Sequence, residues 1–290
     1  MTLASDLRPR AEALGAALQP LLASADRLSQ AVMLGEHGRR RAGMGDEFWQ
    51  YRPAHSGDGA RGIDWRRSAR SDGHFVREHE WQAAQSVLIW VDPAASMRFS
   101  GDRKRPAKVD RARLLALALA LLLLRSGERV GLAGDDAPPR AGRAQADRIA
   151  LALLSEGEED YGRPAVAGLQ SHGWLVLISD FLGDPAGVEA ALAAASERSA
   201  RGAMLQILDP VEEEFPFDGR TIFESMAGVL RHETLRAGDL RARYHARLAE
   251  RKGRLAELAA AAGWHLHLHH TDAPPQPALL WLYRALEVAL

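Results

Sequence analysis

The chain contains no cysteine, which excludes a disulfide framework, a thiolate zinc site and a cysteine nucleophile. Its formal net charge is −1 over 290 residues, so no overall charge attracts it to nucleic acid or to anionic lipid. The longest apolar run, Leu114 to Leu124, is about half of the roughly 20 residues that a membrane span needs. We therefore expect a protein that neither binds nucleic acid nor inserts into a membrane.

Three recognisable motifs are also missing. The chain has no Gly-x-x-x-x-Gly-Lys-Ser/Thr phosphate loop, so we do not expect it to be an ATPase itself. It has no Gly-x-Ser-x-Gly nucleophile elbow. Its first residues lack the basic start and apolar core of a signal peptide, which favours a cytoplasmic location.

What the sequence does contain is a regular alternation of apolar patterns. A hydrophobic content of 47% and a charged content of 26% are typical of a globular protein. Strand-length apolar runs alternate with helical patterns from residue 87 onward, and such alternation predicts an α/β fold, a mostly parallel sheet with helices on both faces. The predicted strands are 87–91, 129–133, 174–179, 203–208 and 264–270, and the predicted helices are 110–126, 145–155, 186–200, 236–262 and 276–289.

The regions around this alternation have other compositions. Residues 1–34 carry helical apolar spacing, whereas 35–85 are rich in Gly, Arg, Asp and His and predict loops with short strands. The main domain is then 86–275, followed by a helical segment at 276–290. Inside the main domain, 215–262 reads as an inserted hairpin and long helix.

Two predicted strands end in carboxylates. Asp92 follows the apolar run at 87–91, with Ser96 four residues later, and Asp180 follows the run at 174–179. Ligands of open α/β sheets bind at the carboxyl ends of the strands. We therefore expect both aspartates at one functional edge.

The residues before the first of these strands resemble the signature of the DUF58 family, a domain of unknown function. The resemblance covers about residues 35–275, including the closing Thr271-Asp272. It rests on Gly35-x-His37, Gly43-x-Gly45-x-Glu47-Phe48, Arg52, Gly57-Asp58, Arg61-x-Ile63-Asp64-Trp65, Ser68-Ala69-Arg70 and Val76-Arg77-Glu78. It implies a fold similar to von Willebrand factor A domains and a partnership with MoxR-type AAA+ ATPases, beside which such proteins are typically encoded.

The same resemblance implies a divalent-cation site of the metal-ion-dependent adhesion type. In its motif, Asp-x-Ser-x-Ser follows the first strand, and a Thr and an Asp come from later loops. Asp92, Ser96 and Asp180 match, which predicts a Mg²⁺ site that a carboxylate of the partner completes, since Mg²⁺ takes about six oxygen ligands.

The chain departs from that motif in two places. Ala94 stands where the first Ser is expected, and the loop at 157–164, about where the Thr is expected, has no hydroxyl residue. Either waters or one of the acids in this loop would then replace the missing ligands. Those acids are Glu158, Glu159 and Asp160. In the alternative interpretation, Asp92 and Asp180 only cap loops and helices or pair with arginine.

The 35–80 segment leaves two interpretations open. Its histidines and aspartates allow a hydrolytic metal site, although their spacing matches no metal motif; they are His37, His55, His74, His79, Asp46, Asp58 and Asp64. Arginine–carboxylate pairing would instead lock the segment or present it to a partner. The candidate partner-binding residues are Arg52, Asp58, Arg61, Asp64, Trp65 and Arg70.

Two other clusters have simpler interpretations. His265, His267 and His269 alternate along one predicted strand, and a single strand does not make histidines converge on a metal. The acids at Asp209 and 212–214 read as a solvated loop.

From the sequence we expect a non-enzymatic protein–protein interaction module, an adaptor that helps a MoxR-type ATPase to assemble or activate an unknown client protein. A metal-dependent hydrolase using His and Asp of 35–80, and a metal-free structural scaffold, are the alternatives.

Overall fold

The computed structural model describes residues 18–33, 48–54, 68, 75–79 and 84–287. The chain divides into two compact units, of which one is Glu36–Ala84 and the other combines Met1–Gly35 with Gln85–Leu290. In the smaller unit, β1 (Phe48–Pro53) pairs with β2 (Phe75–His79) as an antiparallel ribbon. The Ser68 hydroxyl accepts a 3.0 Å hydrogen bond from the backbone amide of Phe75.

The larger unit alternates strands and helices, as the apolar patterns predict. It begins with helix α1 (18–33). Its strands are β3 (Ser86–Val91), β4 (Arg129–Leu132), β5 (Trp174–Ser179), β6 (Arg201–Leu208), β7 (Thr221–Glu224), β8 (Arg231–Thr234) and β9 (His265–His270). Its other helices are α2 (Lys108–Arg125), α3 (Arg143–Ala152), α4 (Pro185–Glu197), α5 (Pro210–Glu214), α6 (Arg241–Ala261) and α7 (Pro275–Glu287).

Five strands form one parallel sheet in the order β4-β3-β5-β6-β9. The two strands that the sequence singled out, β3 and β5, are therefore neighbours. The chain passes outward to β4 on one side of β3 and then returns to β5 on the other, so the order reverses between β3 and β5. Doubly wound sheets bind ligands at such a switch point. This arrangement confirms the predicted Rossmann-like α/β architecture.

Helices cover both faces of the sheet. Alternate residues of each strand point to opposite faces, and because the central strands are apolar throughout, both faces must be covered. Val87, Ile89 and Val176 face one core, to which α1, α2, α3 and α7 contribute. Leu88 and Leu177 face the other core, which α4 and α6 close. All six residues of β5 are buried, as a central strand of a covered parallel sheet requires.

An insertion separates β6 from β9. It consists of α5, the antiparallel hairpin of β7 and β8, a short 3₁₀ turn at Ala237–Leu240 and the long helix α6. Over the described ranges, we find no helix that combines the length and the hydropathy needed to cross a membrane.

Candidate functional site

Four strands of the parallel sheet end at one edge and release polar side chains there. Asp92 follows β3, Asp180 follows β5, Asp209 follows β6 and Thr271 follows β9, and each of the four is buried. The start of α2 and the loop before it bring cationic side chains to the same edge. These are Arg105, Lys108 and Arg111. The edge is thus a buried ionic network rather than a set of solvated acids.

Asp92 is held by hydrogen bonds from two directions. Its Oδ1 accepts from the Ala94 amide at 2.9 Å, and its Oδ2 accepts from the Ser179 hydroxyl at 2.6 Å. The Gly162 amide also donates to the carboxylate. Burial raises the pKa of Asp92, and these hydrogen bonds, the one from Ser179 first, oppose that rise.

The loop at 157–163 packs directly on the residues that follow β3. A Cβ atom on Gly162 would lie 2.1 Å from Asp92 Oδ1, so the backbone approaches this carboxylate as only glycine allows. Three backbone hydrogen bonds attach the loop, donated by Gly157 to Pro93, by Ala95 to Glu159 and by Ser96 to Asp160.

The acids of this loop do not turn toward Asp92 as substitute ligands in any contact of the structure. Glu158 and Glu159 are exposed. The Asp160 carboxylate accepts a 2.8 Å hydrogen bond from the Ala227 amide and so supports the turn of the β7–β8 hairpin. Tyr161, which follows these acids, lies against Gly183, and burial raises the pKa of Tyr161, with the charge of Asp180 adding to the rise.

Lys108 forms the centre of the edge. Its ammonium nitrogen lies 2.8 Å from Asp180 Oδ2 and 2.6 Å from Glu212 Oε1, and its side chain has no exposed surface. The nitrogen also lies 5.8 Å from the centre of the Phe99 ring. Burial by itself would lower the pKa of Lys108, but the charges of Asp180 and Glu212 outweigh burial, and its pKa is raised. Lysine therefore stays charged here.

A second ion pair corrects one of our expectations. Asp209 is fully buried rather than solvated, and its carboxylate pairs with Arg105 at 3.0 Å and accepts from the Thr271 hydroxyl at 3.0 Å. It also caps α5 through a capping box with Glu212. Burial would raise the pKa of Asp209, but these hydrogen bonds, the Val211 amide first, lower it overall.

The prediction of a solvated acidic loop was thus wrong for Asp209 and Glu212, because both carboxylates form ion pairs, Asp209 with the partly buried Arg105 and Glu212 with the buried Lys108. A local signal for this was present in the sequence. Asp209-Pro210-Val211-Glu212 has the Asp-x-x-Glu spacing of a capping box with proline at the first helical position.

Arg111 anchors the end of β9. It donates to the backbone carbonyls of Thr271 at 2.9 Å and Ala273 at 2.5 Å, and one of its nitrogens lies 3.0 Å from His269 Nε2. Burial, and then the charge of Arg111, lower the pKa of His269 to about 4. His267 stacks instead on the Trp281 ring, with ring centres 4.9 Å apart. His267 and His269 therefore have structural partners, and His265 is exposed at the start of the strand.

The predicted Mg²⁺ ligands come together at this edge, but their surroundings do not fit the metal. Asp180 Oδ2 binds Lys108, and Asp180 Oδ1 accepts from the Leu182 amide at 3.0 Å. Both oxygens of Asp92 are likewise engaged. Within the described ranges, no three His, Asp or Glu side chains gather as a metal-binding group. Among the three predicted ligands, only Ser96 offers an oxygen that is not already engaged, since its Oγ is buried without a hydrogen-bond partner.

The candidates of the 35–80 segment are mostly beyond the described ranges. Arg52 lies in β1, opposite Val76 of β2, and His79 is the last residue of β2. The other partner-binding candidates, Asp58, Arg61, Asp64, Trp65 and Arg70, lie outside the described residues. So do the remaining histidines and aspartates of the hydrolase alternative, which stays a prediction.

An aromatic cleft of about 500 Å³ adjoins the ionic network. Phe99 and Glu212 line it, and both also contact Lys108. The Phe215 ring packs on its neighbours with ring centres 4.7 to 5.7 Å apart. The rest of the lining is Val211, Phe217, Phe223, His232, Leu240, Arg243, Tyr244 and Arg247.

The Tyr244 hydroxyl fixes α6 to α5 at this cleft. It donates a 2.5 Å hydrogen bond to the Glu212 carbonyl, and burial, followed by the charge of Glu212, raises the pKa of Tyr244 to about 12. The hydroxyl is therefore a permanent donor at neutral pH. Arg241 adds bonds to the Phe215 and Phe217 carbonyls, each at 3.2 Å, so the wall of the cleft is held in place.

The hairpin beside the cleft exposes apolar side chains. Val229 is 76% exposed, Leu230 64% and Leu235 74%. Ile222 and Met226, on the same hairpin, are also exposed. Large apolar side chains exposed along one element favour a protein interaction surface there. Sequence reasoning identified the hairpin but not this surface, because alternation alone does not say which face is covered.

With this geometry established, comparison with known proteins identifies the family. The family described as "Protein of unknown function DUF58" matches residues 50–254, more than half of the chain. The chain belongs to the DUF58 family. This confirms the family on which the sequence resemblance rested.

Relatives of this DUF58 protein include the uncharacterized proteins Rv1480 of Mycobacterium tuberculosis and Mb1516 of Mycobacterium bovis. Each is 26% identical over 234 residues, which cover 75% of this chain and 73% of the relative. Two solved structures, each 16% identical, match 71% of this chain. One is an aerotolerance-related membrane protein from Bacteroides fragilis, matched over its full length with a TM-score of 0.42. The other is BatB from Bacteroides thetaiotaomicron, matched over 98% with a TM-score of 0.40.

Proposed function

We propose that this protein is a non-enzymatic interaction module that recruits a client protein to a MoxR-type AAA+ ATPase, for assembly or activation of the client. The observation that carries the proposal is the aromatic cleft and its exposed apolar hairpin. The hairpin and all of the cleft lining except Phe99 belong to the insertion between β6 and β9, and both lie next to the carboxyl edge. The ATPase partner comes from the family resemblance. Because an AAA+ ATPase consumes ATP, we propose that the interaction takes place in the cytoplasm.

The chemistry of the cleft favours one kind of occupant. Its floor is aromatic, and Arg243 and Arg247 belong to its lining, whereas the acidic Glu212 is already paired with Lys108. Aromatic side chains bury large areas in interfaces, and arginine is the cation best suited to bind carboxylates there. The cleft therefore suits a segment of the ATPase that offers an apolar side chain next to acidic residues.

Binding of the purified chain to its cognate ATPase tests this function, measured by calorimetry and by pull-down. We expect Leu230→Ser on the hairpin and Arg243→Glu in the cleft to weaken binding at least about tenfold, a loss of about 1.4 kcal/mol. Two matched controls lie on α3. Leu151→Ser replaces another exposed leucine, and Arg148→Glu reverses another exposed arginine.

Two results would speak against the proposal. One is an unmutated chain that does not bind the ATPase in either assay. The other is an equal loss of binding in the α3 controls, which would show that the effect does not belong to the cleft. Circular dichroism of all four variants establishes that each is folded before binding is compared.

A further inference from the structure

Lys108 binds Asp180, a residue that the family resemblance implies as a metal ligand. It is the first residue of α2, and the positive end of a helix dipole disfavours a cation at that position. A buried ammonium there needs compensating anions. Asp180, one of the expected metal ligands, supplies one of them, and Glu212 supplies the other.

The carboxylate oxygens of Asp92 and Asp180 are already engaged in hydrogen bonds, so neither residue offers a free oxygen to a metal. Asp180 gives one oxygen to Lys108 and the other to the Leu182 amide, and Asp92 gives its oxygens to Ala94 and Ser179. Mg²⁺ requires oxygens at 2.0–2.1 Å and releases its waters reluctantly. A Mg²⁺ ion bound to Asp180 would also lie close to the ammonium group and be repelled by it.

We propose that the Lys108 ammonium group replaces the divalent cation at this edge, so that this protein binds no Mg²⁺ there and meets its partners without a metal bridge. The positive charge is then a permanent part of the fold. Lys108 also borders the aromatic cleft without lining it, since Glu212 and Phe99 contact Lys108 and line the cleft. This proposal concerns the edge itself, and its test needs no partner.

The test is titration of Mn²⁺ and Mg²⁺ into the purified full chain. Electron paramagnetic resonance follows free Mn²⁺, and calorimetry follows Mg²⁺. We expect the unmutated chain to bind neither ion at this edge at concentrations up to about 10 mM. That concentration is about tenfold above the dissociation constants of the weakest calcium-binding modules. Lys108→Ala frees Asp180 and Glu212, and we expect it to gain a Mn²⁺ site at least tenfold tighter than any binding by the unmutated chain. Lys108→Arg keeps a cation and is expected to gain none.

Two outcomes would overturn the proposal. The first is millimolar or tighter Mn²⁺ binding by the unmutated chain that Asp92→Asn abolishes. The second is a folded Lys108→Ala variant that binds no more Mn²⁺ than the unmutated chain. If Lys108→Ala does not fold, the titration of the unmutated chain with the Asp92→Asn control still decides whether the edge holds a metal.

Discussion

The Ser179 hydroxyl at the end of β5 donates a 2.6 Å hydrogen bond to the Asp92 carboxylate beyond the end of β3. The bond joins the two strands at which the sheet order reverses. The same hydroxyl accepts from the Phe181 amide at 3.0 Å, which fixes the turn after β5. Ser96, by contrast, is buried with an Oγ that has no partner.

These two serines predict opposite effects of the same substitution. Ser179→Ala removes a donor from a buried carboxylate, and we expect it to lower the free energy of unfolding by about 1–3 kcal/mol. Ser96→Ala removes an unsatisfied hydroxyl, and we expect no loss, or a gain of up to about 1 kcal/mol. Urea unfolding at neutral pH measures both. A loss in Ser96→Ala as large as that in Ser179→Ala would show that the Ser96 hydroxyl has a partner in solution.

Gly162→Ala tests the close approach of the 157–163 loop to Asp92. The added Cβ would lie 2.1 Å from Asp92 Oδ1, so the loop must move, and we expect a loss of about 1–3 kcal/mol of unfolding free energy. Gly253→Ala is the matched control within α6, where a Cβ meets nothing within 4 Å. Because alanine is the better helix former, we expect that variant to gain about 1 kcal/mol. Equal stabilities of the two variants would contradict the packed loop.

Lys108→Met tests the energy of the buried ion pairs. It leaves Asp180 and Glu212 without their cation, and we expect a loss of about 3–5 kcal/mol of unfolding free energy. Adding Asp180→Asn to Lys108→Met removes one of the two stranded charges, so the double variant should recover part of that loss. Denaturant unfolding of the single and double variants measures the coupling. Strictly additive losses would mean that the two side chains do not interact.

His269 predicts a specific pH dependence of stability. Its pKa falls from an ordinary value of 6.5 to about 4 in the folded chain, through burial and then the charge of Arg111; His267 and His270 lower it further and Asp272 opposes them. The neutral imidazole therefore favours the folded state. Its contribution is complete above pH 6.5 and is lost as the pH falls toward about 4, amounting to at most about 3 kcal/mol.

The measurement compares the unmutated chain with His269→Gln, whose amide oxygen still accepts from Arg111. We expect the loss of unfolding free energy between pH 7.5 and pH 4.5 to be smaller in the variant, because it lacks this titration. The carboxylates titrate in both proteins and cancel in the difference. Parallel pH profiles of the two proteins would contradict the lowered pKa of His269.

The fold was largely predictable because its signals are local. Buried parallel strands need continuous apolar runs, so β3, β5 and β6 are visible from the sequence alone, and a polar residue directly after each run marks the edge. The residue resemblance then identified the family. Asp92 and Asp180 were recognised for the same reason, since each directly follows such a run.

The partners of these aspartates were not predictable, because pairing depends on three-dimensional proximity. Lys108 and Glu212 are 104 positions apart and meet only through the sheet. Lys108 also begins a helix whose first turns carry Asp110, Arg111 and Arg113, so one more charged residue there gives no distinctive signal. Asp209 and Glu212 were expected in a solvated loop but form ion pairs with Arg105 and Lys108. The amino-acid composition of the loop does not reveal this pairing.

The carboxyl edge of the sheet can be completed only once β9 has paired with β6. Residues 209–264 separate the two strands, so the last strand can join the sheet only after the hairpin and α6 have been synthesised. Non-local parallel pairing of this kind is slow to form. Until it does, Asp209 lacks Thr271 and Arg111 lacks His269. We therefore expect the carboxyl edge to be completed late in synthesis, only after the whole insertion between β6 and β9 has been made.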